Sequence, residues 1–389
     1  MASAANNLPY WLDEPAKRYR GLAGDEGVDV AIIGGGITGL SCARALAHAG
    51  ARVRVLEARR VGSGASGRNG GFAVRGMAAR YDRVRLPELM RLTEDALPRL
   101  ASLAGDAFRP VGSLRVATSD DELAAVRAEH DALCADGFAV EWVERDELPP
   151  LIRPHVLGGM FNPRDGALEQ GRWVRRLAAL TEEAGALIAE ETRATGIDGT
   201  RVLTPLGHVD ANAVVVATDG YTEGLIPEVD ALVVPARGQV VATAPLRERH
   251  FDCPVSARWG YDYFQQLPDL RVVAGGRRDI GRGSEDTTEE TTTAPIQVAV
   301  EQMLREVFGG VPDITHRWAG LMAFTPDLLP LVGSLPGRKS VWLSLGYSGH
   351  GNVLAFACGE LVAAAILDGR GERLGPLSPG RFPAARRRA

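Results

Sequence analysis

The sequence predicts two interleaved folds in one chain, α/β plus α+β: a parallel-sheet domain assembled from dispersed pieces, and a second domain built on an antiparallel sheet. Three observations predict it. A complete β-α-β unit begins at Val28, later segments return to the same style, and two stretches of a different periodicity lie between them.

The unit reads "VDVAIIGGGITGLSCARALAHAGARVRVLEARR". "VDVAII" is short, apolar and rich in β-branched residues, as a parallel strand buried on both faces must be. "GGGITGLSCARALAHAG" then sets Ile37, Leu40, Ala43 and Ala47 at helical spacing and stops at Gly50, a C-terminal cap. "RVRVLEA" supplies the second strand. Farther on, "RWVRRLAALTEEAGALIAEETRATGI" reads as helix then strand, and "RVLTPLGHVDANAVVVATDGY" as a hairpin then a buried strand. "SVWLSLGYSGHGNVLAFACGELVAAAILDG" reads as strand, glycine loop and long helix. The first domain therefore takes residues 28–84, 156–235 and 319–370.

The second domain takes 85–155 and 236–318. Its first stretch holds charged amphipathic helices such as "SDDELAAVRAEHDALCADG". Its second holds alternating segments, "RGQVVATAPL" and "RWGYDYFQQLPDLRVVAGG", typical of antiparallel strands with one open face. Residues 1–27 form an N-terminal extension, and 371–389, ending in the basic "RFPAARRRA", a solvated C-terminal tail.

Composition removes several functions. The chain is 45% hydrophobic and 24% charged, an ordinary globular balance, and its formal net charge of -5 supplies no basic field for nucleic acid. Cys42, Cys134, Cys253 and Cys358 are scattered and form no cluster with the 7 histidines, so no metal site and no disulfide framework is expected. "MASAANNLPYWLDEPAKRYRGL" lacks the apolar core of a signal peptide, and no run reaches the roughly 20 uninterrupted apolar residues of a membrane span. "VLAFACGELVAAAIL" carries Glu360 and reads as a buried helix. A cytoplasmic, reducing location with no membrane span is the expectation.

Glycine makes up 46 of the 389 residues, about 12%, against roughly 7% in an average protein. Much of the excess lies where chemistry is expected. "IIGGGITGL" contains G-x-G-x-x-G as Gly34, Gly36 and Gly39: the first permits a tight turn, the second a close approach of backbone to a pyrophosphate, and the third close packing of helix on strand. The amides of Ile37 and Thr38 then open the helix toward the diphosphate. Glu57 ends the second strand 21 residues after Gly36 (57 − 36), where a carboxylate accepts from ribose hydroxyls. The unit is a dinucleotide-binding, Rossmann-like one.

Directly after Glu57 comes "ARRVGSGASGRNGG". Gly/Ser-rich sequence ordinarily behaves as a flexible linker. Its place after the ribose carboxylate instead makes it a wrap around the cofactor, in which Ala58, Arg59, Arg60, Gly64, Ala65, Ser66, Arg68, Asn69, Gly70 and Gly71 run from diphosphate toward the ring. The N-terminal position of the motif and the dispersal of the remaining pieces argue for FAD over a nicotinamide nucleotide.

At this point the segment 29–71 resembles the D-amino-acid oxidase/sarcosine oxidase superfamily of FAD-dependent amine oxidoreductases, and its "GASGRNGG" form is most similar to the γ-glutamylputrescine oxidoreductase branch. Three further segments extend the resemblance over nearly the whole chain. "ANAVVVATDGYT" is similar to the strand and turn that return to the cofactor, with Ala217 and Thr218. "RWAGLMAFTPDLLPLVG" carries T-x-D-x-x-P-x-[IV]-G as Thr325, Asp327, Pro330, Val332 and Gly333. "GYSGHGN", namely Gly346, Tyr347, Ser348, Gly349, His350, Gly351 and Asn352, resembles the loop and helix start that face the flavin's pyrimidine edge.

The resemblance implies a Rossmann-like FAD-binding domain with an interleaved antiparallel-sheet substrate domain, and a small-molecule amine or amino acid as substrate. It implies hydride transfer from a CH-NH bond to flavin N5, followed by hydrolysis of the imine. Where covalent relatives attach their flavin, this chain has Gly320 and its neighbours, so non-covalent FAD is expected. Asn352 and Val353 replace a lysine that helps hold a carboxylate, and "LRVVAGGRR" is apolar where a lysine activates O2. The electron acceptor is thus O2 or another oxidant, and a homodimer is compatible with the resemblance.

For the substrate, Trp259, Tyr261, Tyr263 and Phe264 alternate as a strand does and form part of an aromatic box by cation-π attraction. Phe72 adjoins the glycine loop, and Arg277, with Arg278 beside it, is a candidate carboxylate ligand. The catalytic candidates are His350, Tyr261 and Tyr263. Two other readings share the nucleotide unit: a flavin-dependent monooxygenase using NAD(P)H, against which "GYSGHG" argues, and a non-catalytic FAD-binding protein, against which the aromatic strand argues.

Overall fold

The computed structural model describes residues 7–222, 224–281, 283–369 and 371–382; the terminal "RRR" cluster lies outside them. Six strands form one sheet in the order Leu187–Ala189, Val53–Leu56, Val30–Ile33, Ala213–Val216, Arg338–Leu345 and Leu331–Leu335. The first five run parallel and the last pairs antiparallel. Alternate side chains divide between two cores. Ile32 and Val215 meet the helices Ile37–His48, Pro87–Ala104, Gln170–Glu183 and Gly351–Asp368, while Ala31, Ile33 and Val214 meet a small four-stranded sheet that contains Val202 and Val209.

Helix Gly351–Asp368 is long and apolar enough to cross a membrane by length and composition, yet it packs against Ile37–His48 and is mostly buried. The two helices touch backbone to side chain. A Cβ at Gly359 would come within 2.0 Å of Ser41 Oγ and 2.5 Å of Thr38 O, so only glycine permits the approach. Glu360, the one acid within this helix before its final residue, reaches Arg99 at 2.8 Å on the outer side.

The second sheet has eight strands in the order Ile314–Phe324, Val234–Thr243, Val272–Gly276, Asp262–Gln266, Val255–Ala257, Ser113–Ala117, Gly158–Asn162 and Glu141–Glu144. All neighbours are antiparallel except Val255–Ala257 with Ser113–Ala117. Helix Ala294–Phe308 covers one face through Val300, Met303 and Leu304, over Val241, Phe264, Val272 and Ala274. The other face, carrying Tyr263 and Val240, looks toward the parallel sheet. Strand membership differs from the sequence reading at two edges. Gly158–Asn162 and the whole of Ile314–Phe324 belong to the eight-stranded sheet, because the Gly238↔Gly320 register continues without a break to Val234↔Phe324.

The expected helix "SDDELAAVRAEHDALCADG" forms as Asp120–Ala135, with Ser119 accepting from the Glu122 amide. The N-terminal extension is built into the body. Trp11 is buried, donates from Nε1 to Asn69 O at 2.8 Å, and leaves no room for a side chain at Gly171.

Candidate functional site

A single cleft of about 860 Å³ runs between the two sheets and takes its walls from both. One end is formed by the first β-α turn. Gly34 has φ +113°, and a Cβ there would lie 2.6 Å from Ala217 O; one at Gly39 would lie 2.0 Å from Gly34 O. The turn is thus closed by backbone packing, and only glycine fits. Glu57 accepts from the Gly35 amide at 2.8 Å and from the Arg59 amide at 2.8 Å. Burial pushes its carboxyl above the ordinary range, opposed by those two amides.

The glycine-rich stretch 62–71 is not a linker. Asn69 Nδ2 donates to Ala65 O, Asn69 Oδ1 accepts from Gly71 N at 2.8 Å, and Asn352 Nδ2 donates to Asn69 Oδ1 and Phe72 O. Gln265 Nε2 donates to Gly70 O at 2.6 Å, from the eight-stranded sheet. Ser66 Oγ accepts from the Ile37 amide at 3.0 Å, at the N-terminus of the helix. Arg68 donates to Ser63 O and Ala319 O. A Cβ at Gly320 would lie 2.7 Å from Arg68 Cβ, which is why this strand passes so close to the loop.

The third wall is the loop 346–350. Gly346 N donates to Asp219 Oδ1 at 2.8 Å and Ser348 N to Ala323 O at 2.8 Å; Tyr347 OH lies 3.1 Å from Thr38 Oγ1 and 2.9 Å from Ser344 Oγ. Among the described residues, four that line the cavity and are not glycine hold left-handed backbone: Asp219 (φ 44°), Trp259 (60°), Leu328 (61°) and Ser348 (52°). Each costs on the order of 1 kcal/mol, and such strain gathers at working sites. His350 precedes helix Gly351–Asp368, and its Nδ1 is buried with no hydrogen-bond partner among the described residues. Burial, with Arg115 adding, lowers its imidazole to about 4, so the ring is neutral at physiological pH.

The far end of the cleft is lined by Phe72, Met322, Phe324, Trp259, Tyr261, Tyr263 and Arg278. Phe72 and Tyr263 meet edge to face at 5.9 Å. Burial pushes the Tyr263 hydroxyl well up, so it stays protonated. Trp259 is 46% exposed at the mouth; its amide donates to the buried Glu122 and its ring lies under the Arg80 guanidinium at 5.9 Å.

Most predicted residues line this cleft: Gly34, Gly36, Ile37, Thr38, Glu57, Ala58, Arg59, Gly64, Ala65, Ser66, Arg68, Asn69, Gly70, Phe72, Ala217, Thr218, Trp259, Tyr261, Tyr263, Gly320 and Tyr347 to Asn352. Gly39, Gly71 and Gly346 stand behind it as close-packing positions. Three do not belong to it. Arg60 is exposed and does not line the cleft. Phe264 faces the opposite side of the sheet from Tyr263 and meets Phe251 edge to face at 4.8 Å in the core under helix Ala294–Phe308. Arg277 is ion-paired with Asp262 at 2.8 Å and Glu306 at 3.2 Å. Its neighbour Arg278 is the one at the cavity, because Gly276 (φ +124°) and Arg277 (φ +58°) turn the chain as the strand ends.

The sequence reading also missed Glu290. Its carboxylate reaches Arg59 at 2.5 Å, Arg68 at 3.2 Å and the Tyr221 hydroxyl, so a loop of the eight-stranded domain is fastened to the cofactor wrap. Nothing in "TTEETTT" marks one acid among its neighbours.

The glycine turn, the strand-end carboxylate of Glu57, the helix amides and the orphaned His350 Nδ1 fit a dinucleotide whose far end is a flat ring with polar edges, as in a flavin-dependent oxidoreductase. The chain belongs to the DAO family of FAD dependent oxidoreductases, which residues 29–365 match. It is 29% identical over 390 aligned positions to a probable oxidoreductase OrdL of Rhizobium meliloti (strain 1021), covering 93% of this chain and 88% of that one. It is 28% identical to gamma-glutamylputrescine oxidoreductase of Escherichia coli (strain K12), over 89% of this chain and 84% of that one. The fold is that of L-proline dehydrogenase from P. horikoshii, with a TM-score of 0.81, 24% identity, and coverage of 92% of this chain and 98% of that one. Its named relatives also include dimethylglycine dehydrogenase of Rattus norvegicus, 26% identical over 88% of this chain and 43% of that one.

Proposed function

We propose that this enzyme oxidises the CH-NH bond of an amine or N-substituted amino acid to an imine, which water then hydrolyses to a carbonyl compound and an amine. The observation that carries this is the single continuous cleft in which the dinucleotide end opens onto an aromatic end. FAD, when bound, supplies the hydride acceptor.

The chain's own groups do the rest by positioning and desolvation. Phe72, Tyr261, Tyr263, Met322 and Phe324 exclude water and disfavour an ammonium ion, so the amine enters or becomes neutral. Among the described residues the carboxylates lining the cleft are all engaged, so none of these holds the substrate as a cation: Glu57 by amides, Glu129 by Arg115 at 2.6 Å and by the Tyr81 amide, and Asp219 by loop amides. Neutral His350 presents an unpartnered Nδ1, a donor or an acceptor according to tautomer, at the start of helix Gly351–Asp368, whose first-turn amides favour negative charge nearby.

The test is product analysis. Purified holoenzyme incubated with a panel of secondary amines and N-alkyl amino acids should yield an aldehyde or keto acid, captured as a hydrazone, in one-to-one ratio with released amine. Consumption of NADPH with hydroxylated product and no imine-derived carbonyl would overturn the reading in favour of a monooxygenase.

A further inference from the structure

Helix Asp120–Ala135 begins beside the mouth of the cleft, at Trp259. Glu122 stands at its third position, where a glutamate ordinarily reaches back to the N-cap amide. Here Oε2 accepts instead from Thr118 N at 2.9 Å and Thr118 Oγ1 at 3.0 Å, and those two bonds already close the turn. Oε1 leaves the helix altogether and accepts from Trp259 N at 2.5 Å, across 137 residues of sequence. Glu122 is fully buried, and among the described residues no cation lies within ion-pair distance of it. A buried acid without a cation must be met by donors, and Trp259 supplies one.

The turn that Glu122 reaches is strained. Arg258 (φ 51°), Trp259 (60°) and Gly260 (82°) follow one another in left-handed backbone, which residues with a Cβ seldom hold without outside support. Arg258 is fastened by Asp262 at 3.0 Å and Asp279 at 2.6 Å. Among the described residues the Trp259 amide has Glu122 alone. The half-exposed indole lines the cleft beneath Arg80, which donates to Ala125 O of the same helix at 3.3 Å.

We propose that Glu122 is a positioning residue for the substrate end of the cleft: it holds the turn 258–260, and with it the Trp259 indole, at the mouth, and so limits the width of the group the amine carries there. Without the carboxylate the Trp259 amide loses its acceptor, and the turn is released toward the extended backbone that tryptophan favours. The helix itself keeps its Ser119 cap. The assignment rests on the reading of the cleft as an amine site and adds what bounds its substrates.

Two measurements on holoenzyme test it. Iodide quenching of tryptophan fluorescence reads the turn without turnover. Trp11, Trp173, Trp318 and Trp342 are buried, so subtracting a Trp259→Phe background isolates Trp259. Glu122→Gln should raise its quenching constant roughly 2-fold, the ratio of full to 46% exposure. In turnover, wild type should favour N-methylglycine over N-benzylglycine. Glu122→Gln should narrow that preference roughly 10-fold through KM, with kcat for N-methylglycine within about 2-fold. Glu122→Asp keeps the charge in the first helical turn but falls short of Trp259, and should match Glu122→Gln. Thr118→Val removes one bond to the same carboxylate, leaves Oε1 on Trp259, and should change neither measurement. Wild-type quenching of Trp259 in both Glu122 variants at unchanged flavin content overturns the proposal. So does an equal change in Thr118→Val, which would reduce Glu122 to a closure of its helix. If quenching rises as stated and no amine yields product, the functional reading fails while the positioning of Trp259 stands.

Discussion

The two ends of the cleft are built on opposite rules. At the dinucleotide end almost every polar group already has a partner in the protein: Glu57 is satisfied by two amides, Asn69 by Asn352, and Arg59 and Arg68 by Glu290. At the aromatic end, among the described residues, His350 Nδ1 has no hydrogen-bond partner and Arg278 has only the Tyr261 and Phe324 rings. A resident cofactor is gripped by a preformed backbone cradle. A ligand that must come and go is met by groups whose partner arrives with it.

The contrast can be broken most severely at the cradle. Gly34→Val places a side chain at φ +113° and 2.6 Å from Ala217 O, and no flavin should co-purify with it; full occupancy would show that the turn is not the dinucleotide seat. Gly70 and Gly71 then separate ligand from scaffold. A Cβ at Gly71 strikes Leu168 O at 2.5 Å with φ +79°, so Gly71→Val should cost roughly 3 kcal/mol of apoprotein stability. The nearest neighbours of a Cβ at Gly70 are instead atoms of the Tyr263 and Phe72 rings, at 2.8, 3.0 and 3.5 Å. Gly70→Val should lose flavin with about 1 kcal/mol or less of apoprotein destabilisation. Equal denaturant midpoints for the two apoproteins would contradict the distinction.

His350 gives a pH-dependent test of the other end. Its imidazole is lowered from the ordinary 6.5 to about 4, so the unfolded chain takes up a proton that the folded apoprotein refuses. The associated stability is complete above pH 6.5 and declines as pH falls toward 4, by an amount on the order of 3 kcal/mol. Apo His350→Gln should show a correspondingly shallower loss of urea midpoint between pH 7 and 4.5. Parallel curves would place the histidine in water. The smallest effect is expected at Glu290: Glu290→Gln leaves Arg59 and Arg68 underpaired, and flavin release, followed by its fluorescence, should quicken about 10-fold.

The same asymmetry explains how far the sequence could be read. The cradle is local chain: three glycines at fixed spacing, a strand-end acid, and a glycine loop directly after it. Each constraint falls on a backbone within a few residues of its neighbour. The aromatic end depends on how the eight-stranded sheet meets the parallel one. Tyr263 and Phe264 are adjacent in sequence and end on opposite faces, and the left-handed turn at Gly276 and Arg277 hands the cleft to Arg278. Glu290 and Trp11 act on the wrap from far along the chain, through contacts that leave no periodicity or motif.

The central claim is that one cleft holds FAD beside an aromatic site that oxidises amines. Anaerobic mixing of holoenzyme with a series of N-alkyl amino acids tests it most directly. At least one should bleach the visible flavin absorbance in the absence of NADPH, with colour restored when an oxidant is admitted. A fully loaded enzyme that keeps its oxidised spectrum with every amine and amino acid offered would contradict it.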